Sequence, residues 1–103
     1  MKHDGHTIVG PAGTIRIEGD ALAALVVAAA EHVDGARVRR PRRGLSVAIA
    51  DGRARVELEL AVRYGTSIPE LGAAVQEAVS DALRGSAGLE VDGVDVSIEE
   101  LER

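Results

Sequence analysis

The 103-residue chain contains no cysteine, no phenylalanine and no tryptophan, and Tyr64 is its one aromatic residue. Without cysteine there is no disulfide, no thiolate zinc site and no thiol nucleophile. Without a second ring there is no stacking platform for single-stranded nucleic acid and no aromatic cage for a quaternary ammonium ion. Long apolar runs are missing as well. The longest, Ala21 to Ala30, has ten residues, about half of what a helix needs to cross a bilayer. Glu18 and Asp20 precede it, the wrong charge for the opening of a signal peptide. The chain therefore reads as cytoplasmic, with no transmembrane segment of its own, and any membrane association would have to come through a partner.

What is present is a globular balance, 46% hydrophobic and 28% charged. A chain of this length forms one domain and hides about two-thirds of its surface on folding. Its core must be aliphatic. The formal net charge of −5 argues against a general nucleic-acid binder, which draws its affinity from phosphate neutralisation. That charge is unevenly placed. Residues 37–55 hold Arg37, Arg39, Arg40, Arg42, Arg43, Arg53 and Arg55 against Asp51 alone, a net of +6, while the rest of the chain carries −11. The closing segment is the most acidic, with Glu90, Asp92, Asp95, Glu99, Glu100 and Glu102.

Periodicity supplies an element order. Residues 1–12, rich in polar and turn-forming types, read as a mobile N-terminal tail, and the domain spans 13–103. Ile15 and Ile17 mark a short strand. Asp20 is placed to cap a helix whose stripe is Leu22, Leu25, Val26, Ala29 and Val33, closed by Gly35. Ala36 to Arg40 suits a short edge strand, and Leu45, Val47 and Ile49 alternate. Asp51-Gly52 is a two-residue hairpin turn. Val56, Leu58, Leu60, Val62 and Tyr64 then point one way, with Glu57, Glu59 and Arg63 opposite. Ser67-Ile68-Pro69-Glu70 is a capping box for a second helix with the face Leu71, Val75, Ala78, Val79 and Ala82, ending at Gly85. Val94, Val96 and Ile98 alternate in a final strand. The order β-α-β-β-(β)-α-β, with one apolar stripe per helix, predicts an α+β fold: a single-domain two-layer sandwich with both helices on one face of a mixed sheet.

A glycine-rich phosphate loop, a nucleophile elbow and a zincin pair are all absent, so no catalytic, cofactor-binding or metal-binding residue is nominated. His3, Asp4 and His6 lack a third ligand on a rigid element and belong to the tail. His32 suits the negative end of the first helix. Ser67 is engaged as a cap, and Glu57 with Glu59 forms a solvated strand face. Tyr64 reads as a core-edge residue. The candidate interaction patch is Arg37, Arg39, Arg40, Arg42 and Arg43. It is either a solvated turn or an electrostatic binding module for nucleic acid or anionic lipid. Opposite patches on one small domain also suit head-to-tail self-association.

Val62-Arg63-Tyr64-Gly65, Ser67-Ile68-Pro69, Val75-Gln76, Val79 and Gly88-Leu89-Glu90-Val91 through Val94-Asp95-Val96-Ser97-Ile98 resemble, in that order, the alkaline shock protein family. It is also called the general-stress or envelope stress response family. Gly13 to Ala30 and Val33-Asp34-Gly35 resemble its opening strand and helix, and Asp95 stands where the family often has Asn. The resemblance implies a non-enzymatic bacterial protein that self-associates into homo-oligomers. It also implies attachment to the cytoplasmic membrane through a separate, membrane-embedded protein partner, with no cofactor. Gln76 lies beside the apolar stripe, where it either borders the core or meets a partner.

Overall fold

Strand β5 (Arg53–Arg63) is the spine of the molecule. Its alternation of branched or aliphatic residues with charged ones suits a pleated surface with one dry and one wet face. Val56, Leu58, Leu60 and Val62 are buried, and Arg53, Arg55, Glu57 and Arg63 are exposed. The computed structural model describes residues 2–41 and 43–103. Strands β3 (Ala36–Arg39) and β4 (Ser46–Ala50) share one edge of β5, both antiparallel. Asp51 and Gly52 have φ of 53° and 72°, the paired positive values that let a two-residue turn follow the strand twist. The hairpin signal in the sequence is thus realised with Val47 opposite Val56 on the dry face.

The other edge of β5 takes β6 (Glu90–Glu102), parallel along its whole length. A parallel neighbour requires a crossover, which helix α2 (Ile68–Ala87) supplies. Leu71, Val75, Val79, Leu83 and Ala87 recur every four residues as its buried stripe. They meet Leu22, Ala23, Val26 and Ala30 of helix α1 (Gly19–Glu31) over the dry face of the sheet. Full burial of each such Leu or Val contributes about 1.5–3 kcal/mol. The predicted two-layer α+β arrangement, two helices against a mixed sheet, is the one observed.

Local details differ from the sequence reading. Helix α2 runs past Gly85 because Leu83 and Ala87 extend its buried stripe. Gly88, at φ 68°, ends it instead, donating its N–H to the Arg84 carbonyl. Ser67 is at the predicted N-cap position and Pro69 lies in the first turn, but the Ser67 side chain makes no capping bond. Helix α1 is capped at Glu18 rather than Asp20, which lies inside the first turn, and it ends at Glu31 ahead of Gly35.

The largest difference lies at the N-terminus. Residues 2–10, expected as a tail outside the fold, are built into it. Val47 donates its N–H to the Lys2 carbonyl at 2.7 Å, and Asp4 returns a bond to the Val47 carbonyl at 2.9 Å. The Asp4 carboxylate accepts from the Ile49 N–H, and the His3 ring pairs with the Leu45 carbonyl, both at 2.9 Å. This segment covers the outer edge of β4, which would otherwise expose unpaired backbone groups. His3 passes so close to Gly19 that a Cβ there would overlap the His3 carbonyl. His6–Gly10 (β1) then pairs with Gly13–Ile17 (β2) as a separate two-stranded ribbon, so the first predicted strand lies outside the main sheet.

Candidate functional site

The wet face of the sheet gathers the charges that the sequence shows as two opposed segments. Arg37 and Arg39 of β3, the odd-numbered residues of β5, and Asp95, Ser97, Glu100 and Glu102 of β6 share it by register. Arg53 lies 2.6 Å from Asp92, Arg55 lies 3.2 Å from Asp95, and Arg40 lies 2.8 Å from Glu59. Arg39 pairs with Glu100, and Arg37 holds Glu102 with contacts of 2.5 and 3.2 Å. Arg63 reaches Asp34 at 3.3 Å. These ion pairs form a ladder across the strands. The hydrogen bond from Arg37 holds the Glu102 carboxyl below its ordinary value of 4.5, and the same bond raises Arg37. Arg53 is raised likewise by its bond to Asp92.

All these pairs are solvent-exposed, so each adds little stability and salt screens it. Their consequence is neutralisation within one chain. The nominated patch is divided by the fold. Arg37 and Arg39 lie on the β3 face against β6, and Arg40 turns to Glu59. Arg43 is exposed in the turn and makes no ion pair among the described residues, and Arg42 lies outside them. The acids of the closing strand are the partners that sequence reading missed. Only the charge inventory hinted at them, because Arg37 and Glu102 are 65 positions apart.

Other nominated residues take structural positions. Gln76 donates from Nε2 to the Val94 carbonyl at 3.0 Å, so it borders the core and ties α2 to β6. Tyr64 is 62% exposed rather than tucked at the core edge, because β5 ends at Arg63 and the ring lies under the Arg103 guanidinium, 5.3 Å from its centroid. His3 and Asp4 bond to the β4 edge, and His32 caps the C-terminus of α1. Among the described residues no helix is long and apolar enough to cross a membrane.

Residues 36–103 match the model of the ASP23 family, which is described as having a cell envelope-related function. That segment carries the whole four-stranded sheet and α2. No curated protein matches the sequence. Among solved structures the chain is similar to a MamM-CTD double variant, with a TM-score of 0.55 and 24% identity over 79% of this chain and 92% of that one. A MamM-CTD single variant gives 0.55 and 23% over 79% and 95%. A cadmium form of a MamM CTD variant gives 0.54 and 24% over 79% and 94%. At this identity the likeness is one of fold.

Proposed function

This chain belongs to the ASP23 family, whose role is cell envelope-related, and from that membership we propose that it is a non-enzymatic structural protein of the envelope stress response. It self-associates, and a membrane-embedded protein partner holds it at the cytoplasmic membrane. Alkaline stress as the inducing condition is part of the same proposal. The observation that carries the reading is the family match across the sheet and α2, the segment that forms the ion-paired face.

The competing reading, an electrostatic module for nucleic acid or anionic lipid, needs its arginines available. Arg37, Arg39 and Arg40 each already face a carboxylate of the same chain. A ligand phosphate would have to displace those partners, which weakens this alternative.

The test is crosslinking in the native host followed by affinity recovery of the tagged chain. The proposal expects one integral membrane protein enriched in stoichiometric amount, together with crosslinked copies of the chain. Recovery of monomer alone from both stressed and unstressed cells would overturn it.

A further inference from the structure

The main sheet has two edges, and the fold treats them differently. On the β3 and β4 side other parts of the chain bond to the outward backbone. The Glu31 carboxylate accepts the Val38 N–H at 2.8 Å, and Lys2 and Asp4 bond to Val47. On the opposite side β6, 13 residues long, is the outermost strand. A long bare edge is a template for pairing with another chain.

Two bonds fix which backbone groups of β6 face outward. Glu90 donates to the Gly52 carbonyl and the Glu102 carbonyl accepts from the Tyr64 N–H, so both residues turn toward β5. Strand residues alternate in direction, and β6 carries one extra residue at Asp92 and one at Glu99. Counting in from both ends leaves Val91, Val94, Val96, Ile98 and Leu101 facing outward. Gln76 agrees with that count, because its Nε2 reaches the outward Val94 carbonyl at 3.0 Å, the one bond to this edge among the described residues. All five outward residues are apolar, and their spacing is the same in both directions about Val96.

We infer that β6 pairs with β6 of a second copy of the chain, antiparallel about a twofold axis at Val96, so that two sheets become one. The edge selects both this occupant and this register. Reversed on itself about Val96, the strand sets Val94 against the second copy's Ile98 and Val91 against its Leu101, apolar against apolar. On the wet face the exposed Asp95 meets the second copy's exposed Ser97, a carboxylate against a hydroxyl donor. Other twofold registers fail. An axis at Asp95 opposes that acid to itself, and one at Ser97 sets Asp95 against Glu99. An axis at Val94 sets Val96 against Asp92, and one at Ile98 sets Val96 against Glu100. In the Val96 register Asp92 comes opposite Glu100 farther out, where each is already neutralised by its own chain, through Arg53 and Arg39. Pairing from Val91 to Leu101 engages about 30 Å of edge, and the twofold axis uses each outward group in both copies. The inference rests on the self-association proposed above and supplies its surface.

Disulfide trapping tests the register in a chain with no cysteine of its own. Full-length Asp95→Cys and Ser97→Cys proteins are oxidised separately and as a mixture. Directly opposed residues lie within disulfide reach, whereas like residues lie on the diagonal at about 7–8 Å. The mixed disulfide should therefore exceed either homodimer at least tenfold. Sedimentation equilibrium tests the charge pairing. Ser97→Asp sets acid against acid and should raise the monomer–dimer midpoint at least tenfold, and Ser97→Lys should lower it. Ser86→Asp and Ser86→Lys, at an exposed position of α2, should leave it almost unchanged. A wild-type chain that stays monomeric at the highest attainable concentration overturns both this inference and the self-association. Oligomers whose homodisulfides match the mixed one, with Ser97 variants that behave like the Ser86 variants, overturn the β6 pairing alone.

Discussion

The two faces of strand β5 do different physical work. On the dry face Val56, Leu58, Leu60 and Val62 are almost wholly removed from water, packed under two helices. On the wet face, arginines of β3 and β5 meet carboxylates of β6 across the strands. The first face supplies stability through buried area. The second supplies little, because exposed ion pairs trade one set of solvent contacts for another. It fixes where much of the charge sits, because Arg37, Arg39, Arg40, Arg53 and Arg55 of the basic middle each face an acid of the same chain. The lesson is that a charge split along the sequence is not a charge split in space.

Substitutions separate the two faces by size of effect. Leu60 is fully buried in the core, so Leu60→Ala removes packed atoms and leaves a cavity, and it should cost about 2–5 kcal/mol in urea unfolding. Gly88→Ala forces a side chain into a left-handed conformation at the end of α2, with an expected cost of about 1–2 kcal/mol in the same assay. Arg55→Gln on the wet face should lower the melting temperature only slightly, and molar salt should remove the difference from wild type. If Arg55→Gln proved as costly as Leu60→Ala, the division of labour between the faces would be wrong.

The smallest effect is a titration. The folded-state value of Glu102 is lowered, so its contribution to stability is fully present above 4.5 and is lost as pH falls through the lower folded value. Carboxyl NMR should show Glu102 titrating below the ordinary range, and Arg37→Gln should return it upward. An unshifted Glu102 in the wild type would mean that the Arg37 pair does not persist in solution.

Elements specified by local signals were legible in the sequence. The Asp51-Gly52 turn and the five-position alternation after it fix a hairpin, and four-residue spacing marks α2. The end of α2 was not legible from glycine alone, since Gly85 and Gly88 are both present and only the continuing stripe through Leu83 and Ala87 selects the second. The β1–β2 ribbon was legible only in its second strand, where Ile15 and Ile17 stand two apart. Its first strand places Ile8 and Val9 side by side with no period-two pattern, and the bonds of Lys2 and Asp4 to β4 join residues some 45 positions apart. The ladder was invisible in the same sense, because parallel pairing of β5 with β6 brings its partners together only through the topology.

The central claim is attachment to the cell envelope through a protein partner, and the most direct measurement is washing of membranes from the native host. The account predicts that the protein sediments with those membranes, stays through a high-salt wash and leaves with detergent. Release by salt alone, or recovery only in the soluble fraction, would contradict it.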